Sequence, residues 1–320
     1  MLPRPTPRPT PRPTRRPTRR RARTAGVLSA ACAALSAGAL APTAAAAPPR
    51  AVVVPCGAVL TTSVRLAADV VCPDGRGLTL AADGIELNLN GHRLTGPGRG
   101  SGAVESGPTG VRVAADGVVV RGGTVRGWGA AVSGRAGVTA PQDPQQPHPD
   151  AVLRAAVRDA HLEGNGHGAE ALEGVALTLE RTRLSGNVRG AGAYGGGRLL
   201  VRGSTVERNA TGLHASAVPR DGLVLRDVLV RRNTSHGVSC STDGHLDATG
   251  VTFQRNGTGL EVFLCAGRVA DSAFVWNGRH LSGFLATGDV FTITCTGATR
   301  DGGALDLERL TVQPCAPTAP

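Results

Sequence analysis

The 320-residue chain has no lysine; all 35 of its basic residues are arginine. Aromatic side chains are scarce, with two Trp, one Tyr and five Phe. That leaves few ring faces for stacking sugars: three of the Phe fit interior positions, and Trp128, Tyr194 and Trp276 remain as platforms on separate rungs. A transmembrane anchor needs about 20 consecutive apolar residues, and the one apolar stretch near the start is broken by Ser29, Ser36 and Gly38. No cysteine spacing is C-x-x-C, so no zinc site and no other metal site is expected. Acidic residues are absent from residues 1–23, where nine of the arginines lie; the rest of the chain carries 26 arginines against 24 acids, a formal +2. The pI of about 10.8 therefore belongs to the leader, and a nucleic-acid partner gains no support from it. Arginine without lysine, with abundant Ala, Gly and Pro, is an actinobacterial-type, high-GC composition.

What is present is a repeat. Asn165, Asn187, Asn209, Asn233, Asn256 and Asn277 are separated by 22, 22, 24, 23 and 21 residues. Three positions before each stands an apolar residue (Leu162, Leu184, Val206, Val230, Phe253, Phe274), and shortly after the first five a glycine (Gly168, Gly190, Gly212, Gly237, Gly259). A fixed period of this size means stacked units rather than one central core. Within a unit the apolar residues alternate, as in Val175, Leu177 and Leu179, which is the mark of a strand with one buried face. Three short strands per unit cannot close a core alone. Stacked at about 4.8 Å per rung, they predict an all-β chain: a single right-handed parallel β-helix of three parallel sheets and about nine rungs, with an N-terminal cap. Each Asn is expected in a tight turn in the left-handed conformation, its amide stacked on those of its neighbours.

Along the chain, residues 1–47 read as a Pro/Arg-rich leader and secretory signal: a positive region, a short apolar run and the small residues Ala44–Ala47. Residues 48–76 read as the N-terminal cap, 77–313 as the β-helix with PbH1-type repeats and a Pro-rich loop at 135–150, and 314–320 as a tail. Removal of the leader leaves six cysteines, and an even number in an exported chain favours disulfides. Position suggests Cys56–Cys72 at the cap, Cys240–Cys265 on adjacent rungs and Cys295–Cys315 at the C-terminal end. The expectation is a secreted, extracellular monomer.

The sentence Val206-Glu207-Arg208-Asn209-Ala210-Thr211-Gly212-Leu213, repeated as Phe253-Gln254-Arg255-Asn256-Gly257-Thr258-Gly259-Leu260, resembles the right-handed parallel β-helix (pectin lyase-like) proteins of the pectate-lyase-like superfamily, over roughly residues 77–313. The resemblance implies a partner that is a polysaccharide or cell-surface glycan, acidic or neutral. In lyases of that superfamily a groove follows the first sheet, an arginine there takes the proton beside the uronate carboxylate, and carboxylates hold calcium. Aligned on the Asn, the outward residues of this chain's first sheet that echo the pattern are Arg202, Arg226, Glu180 and Asp247. The alternative is a solvated column of charges that merely stabilises stacked strands. No cofactor is evident; calcium enters only if the protein is a lyase, and this column offers few carboxylates for it.

Other motifs are partial. Gly166-His167-Gly168 matches the Gly-His-Gly of polygalacturonases, but the chain has no Asp-Asp pair to supply acid and base, so His167 reads as a turn residue. Asp143 to Asp150, with His148, resembles the Asp-Pro-His element of alginate epimerases with an interruption. Asp243 and His245 stand beside Asp247. His214 and His236 lie on another side of the helix and are the next residues to consider. Two functions stay open: a lyase- or epimerase-like protein that binds or processes polysaccharide, with glycoside hydrolysis as a further enzymatic form, and a non-catalytic structural or surface-binding module.

Overall fold

The structure, a computed structural model, describes residues 50–98, 107–136, 153–285, 290–294, 304–308 and 311–313. The leader, most of the Pro-rich loop with Asp143, His148 and Asp150, and Cys295 and Cys315 lie outside the described residues. Those described form a right-handed parallel β-helix of about nine turns, all-β and without a helix.

One rung shows how the sequence makes it. Val175–Glu180 lies in the first sheet, Arg183–Ser185 in the second and Arg189–Tyr194 in the third. Each strand pairs in parallel with its counterparts one rung below and one rung above. Leu177 sits between Ala155 and Leu199, Leu184 between Leu162 and Val206, and Ala191 between Ala169 and Leu213. The inward positions are fully buried and apolar, so the core is a continuous column. Phe253 stacks on Phe274 with ring centroids 4.5 Å apart. The first and third sheets merge at His236–Thr249 and Thr258–Ala270, strands that run through the corner between them. Residues 50–76 join the helix directly: Val59–Leu60, Val64–Leu66 and Val70–Val71 already pair with strands of the next rung.

Disulfides join Cys56 to Cys72 and Cys240 to Cys265, with Cα atoms 5.5 and 5.8 Å apart. The second ties two neighbouring rungs at the merged corner.

The buried Asn side chains form a continuous ladder. From Asn187 onward each Oδ1 accepts from the backbone N–H and the Nδ2 of the Asn one rung below; Asn187 donates both bonds to Asn209 Oδ1, at 2.9 and 3.0 Å. Each Nδ2 also donates to the carbonyl of the apolar residue three positions before the preceding Asn, as Asn209 does to Leu184 O at 3.2 Å. The left-handed residue is not the Asn itself. It is the residue just before: Gly164 and Gly186, then Arg208, Arg232, Arg255 and Trp276, with φ between 53° and 65°. The Asn keeps ordinary backbone geometry because its side chain, not its φ, is what the turn requires.

Trp128 is not a surface platform. It is fully buried and opens this ladder: its backbone N–H donates to Asn165 Oδ1 (3.0 Å), and its Nε1 donates to Leu94 O (3.2 Å) as an Asn Nδ2 would. The ladder ends where Asn277 Nδ2 meets His280 Nδ1 at 3.3 Å.

Asn209→Ala strips the acceptor from two buried donors of Asn187 and the donor from Leu184 O, at about 1–3 kcal/mol for each group left unpaired. Arg208→Ala, at an exposed neighbour, should stay within about 0.5 kcal/mol of the parent. Urea unfolding of the two variants checks this, and equal midpoints would show that the ladder carries no stability.

Candidate functional site

The sequence-derived candidates lie on the outer face of the first sheet and come together in two groups. Glu180 contacts Arg202 (3.0 Å), Arg158 (3.3 Å) and Arg181 (2.6 Å). The hydrogen bond from Arg202 holds the Glu180 carboxyl below its ordinary value, with Arg181 adding to it against partial desolvation. Asp247 lies between Arg226 (2.7 Å) and Arg268 (3.0 Å). Burial pushes the Asp247 carboxyl up, but hydrogen bonds from Arg268 and Arg226 outweigh it and hold it below the usual range. Arg226 also donates to the carbonyls of Leu225 and Asp247, both at 2.8 Å. His245 shares a shallow groove with Asp247, Gly267 and Arg268. Among the described residues, no three His, Cys, Asp or Glu side chains come together as metal ligands.

The third sheet presents a different face. Two outward columns run up it in strict register. One is His167, Arg189, Thr211, His236, Thr258; the other is Glu170, Gly192, His214, Ser239, Glu261. Gly192 is the gap in the second column. Tyr194, two residues on in the same strand, folds its ring back over that gap, so that a Cβ at Gly192 would run into the phenol. The ring thereby lies between two histidines, with centroids 5.9 Å from His167 and 5.4 Å from His214, the latter pair stacked. The Arg189 guanidinium sits 6.0 Å from the same ring.

Burial makes this cluster chemically unusual. His167, at 1% exposure, is a strand residue rather than a turn residue. Its Nδ1 lies 2.6 Å from Glu170 Oε1, at an angle short of a hydrogen bond, and its Nε2 has no hydrogen-bond partner among the described residues. Burial, with Arg189 nearby, pushes the His214 imidazole down to about 4, so it is neutral over the physiological range. Ser241 Oγ lies 3.4 Å from His214 Nε2. One rung further, Glu261 takes a contact from His236 Nε2 (3.3 Å) and a hydrogen bond from Ser239 Oγ (2.8 Å). The His236 contact holds the Glu261 carboxyl low, despite partial burial. Phe263 and Phe284, 47% and 41% exposed, face each other further along this sheet with centroids 5.9 Å apart.

Glu170, Ser239, Ser241 and Glu261 were not singled out from sequence. A signal was available: counting five residues on from each Asn gives Glu170, Gly192, His214, Glu261 and Ser282, with Ser239 displaced by one because its turn is a residue longer. The backward fold of Tyr194 has no such signature.

No protein-family model matches the chain, and no characterised protein sequence matches it. Its fold is similar to the A-module of the Azotobacter vinelandii mannuronan C-5 epimerase AlgE4, with a TM-score of 0.50 and 13% identity over 80% of this chain and 85% of that one. Matches also include the A-module of the A. vinelandii epimerase AlgE6 (TM-score 0.37, 13% identity, 83% and 90% covered) and the enzymatically active domain of bacteriophage CBA120 tailspike protein 2 (0.40, 10%, 74% and 43%). At these identities the likeness is one of fold: a right-handed parallel β-helix.

Proposed function

We propose that the third-sheet face binds an acidic polysaccharide and removes the carbon-bound proton beside a uronate carboxylate, in the manner of a lyase or epimerase. The observation that carries the reading is the Tyr194 ring held between His167 and His214 beside the Arg189 guanidinium. Arg189 would pair with the uronate carboxylate and stabilise the charge that builds on it as the proton leaves. His214, neutral and partly buried, would accept that proton. An incoming carboxylate beside it raises its pKa from the low value of the free protein, so the base strengthens on binding. The Tyr194 phenol oxygen is buried in the free protein; once a bound substrate draws it outward, it would return a proton, either to the opposite face of the same carbon or to the departing glycosidic oxygen. Both outcomes balance without a further reactant. The mannuronan epimerase of similar fold supports testing the first outcome first.

We place the chemistry here rather than at Arg202, Arg226, Glu180 and Asp247 because the guanidiniums there already face carboxylates. For the same carboxylates, Arg181 and Arg268 are pushed above the ordinary arginine value, by hydrogen bonds to Asp159 and Glu180 and to Asp247 respectively. That environment favours the charged form, whereas proton abstraction needs a neutral base. We also infer export, which the leader composition and the two disulfides support.

The test is a panel of polyuronates followed both by absorbance of unsaturated uronate and by proton exchange at C5. His214→Gln and Tyr194→Phe should each lower kcat/KM by about 100-fold or more. Gly192→Ala, which evicts the Tyr194 ring, should do nearly the same with little loss of stability. Arg202→Ala and Arg226→Ala should keep most of the turnover. A protein that changes no polyuronate by either readout is a binding module instead.

Acidity gives a second test. The unfolded His214 titrates near 6.5 and the folded one at about 4. Between those values the unfolded chain binds more protons, so stability rises with pH across the window and is lost as pH falls from 6.5 to 4. The melting temperature of the parent should drop over this range more steeply than that of His214→Gln. Parallel curves would show that His214 is not buried in its neutral form.

A further inference from the structure

The turn between the second and third sheets carries three exposed arginines in single file. Arg208, Arg232 and Arg255 occupy equivalent positions on successive rungs. The backbone N–H of Arg208 donates to Arg231 O and that of Arg232 to Gln254 O, which fixes their stacking. Each has φ of 53–55°, a left-handed conformation that costs any residue with a Cβ. Two other rungs place Gly164 and Gly186 there, where no such cost arises. Like charges one rung apart also repel.

Most other arginine columns of the helix neutralise themselves. Arg121 faces Glu86, Arg154 faces Asp116, Arg183 and Arg231 share Glu207, and Arg226 and Arg268 share Asp247. None of Arg208, Arg232 and Arg255 faces a carboxylate among the described residues. Arg255 meets Trp276, the next residue of the same column, 52% exposed, whose ring lies 4.9 Å from the guanidinium. Among the described residues this strained, self-repelling file of cations has no carboxylate to offset its cost.

We propose that this ridge is a binding rail for a linear acidic polysaccharide lying along the helix axis, outside the reactive face described above. The charges recur at the rung spacing of about 4.8 Å, close to the length of one sugar unit, so successive carboxylates of a polyuronate meet successive guanidiniums. Trp276 ends the rail with an open ring face for a sugar. The rail is one side chain wide, bordered by the second-sheet column in which Glu207 is already paired, which suits a single file of carboxylates better than a two-stranded duplex. It borders the third sheet, three residues before its outward Thr211, so a polymer held here runs beside His214. The rail rests on its own geometry and stands whether or not that face turns substrate over.

The test replaces all three arginines with glycine in the full chain, using the residue that other rungs already carry there. Polygalacturonate and alginate serve as probes, neutral dextran and duplex DNA as controls, with affinity measured by calorimetry at two salt concentrations. The parent should bind the polyuronates with an affinity that falls as salt rises, and should bind neither control comparably. The triple glycine variant should bind at least about tenfold more weakly while melting no lower than the parent, and Trp276→Ala should weaken binding without changing its salt dependence. Unchanged polyuronate affinity in the triple variant would overturn the rail, as would equal binding of DNA by the parent. Arg202→Ala, on the first sheet, should bind like the parent, and turnover in the triple glycine variant at saturating polymer separates the two proposals: the rail sets affinity, the third-sheet face sets turnover.

Discussion

An amide that can both donate and accept is the interaction on which the rest of this structure depends. A stack of 22-residue rungs has no long-range closure of its own; each rung touches only its neighbours. The Asn ladder supplies the vertical tie. From Asn187 to Asn277 each Oδ1 takes two bonds from the rung below, Asn165 Oδ1 takes one from Trp128, and each Nδ2 gives two, so a polar group inside an apolar column is paired. The same ladder dictates its surroundings. A Cβ on Gly190 would be driven into Gly212 O and crowd Asn209 Nδ2 at 3.1 Å. The Asn and Gly columns are therefore one constraint written at two positions, which is why they share a period.

That constraint also explains what the turns tolerate. Once the Asn side chain fixes the corner, the residue before it must swing into the left-handed region whatever its identity, at roughly 1–2 kcal/mol for a residue with a Cβ. Gly164 and Gly186 accept this freely; the arginines and Trp276 accept it under duress. At the ends of the ladder, other side chains imitate the amide. Trp128 gives its indole N–H to the carbonyl that an Asn would use, and His280 meets the last Nδ2.

Much of this was legible in the sequence. Period, alternation and the Asn and Gly offsets are local properties, and they sufficed for the fold, the rung count and the pairing of Cys240 with Cys265. The position of the left-handed residue was not legible, because Asn tolerates that conformation and draws attention away from its neighbour. Nor was the burial of Trp128, since it stands where the period is interrupted by a long loop and its ladder role appears only once the rungs are stacked. The third-sheet cluster was hidden for a different reason. Arg202, Arg226, Glu180 and Asp247 attract notice as charges, but charges one rung apart with opposite sign find each other. Glu170, Arg189 and Glu261 are no less charged, yet their significance depends on a tyrosine ring turning back over a glycine two residues away.

The two outer faces thus divide the work that a stacked strand surface can do. On the first sheet, Arg158 and Arg202 close on Glu180 while Arg226 and Arg268 close on Asp247, and the two carboxylates ionise more readily as a result. Such a face is satisfied: a ligand would have to break ion pairs to bind. On the third sheet the equivalent positions carry histidines, a tyrosine and a glycine gap, and at His214 burial works against charge instead of being offset by it. A neutral imidazole, an adjacent phenol and a guanidinium held at the edge of the same ring are what a carboxylate-bearing substrate would complete rather than disrupt. The asymmetry is physical before it is functional, since both faces hang on the same ladder at the same spacing, and only the choice of side chain at each register position sets them apart.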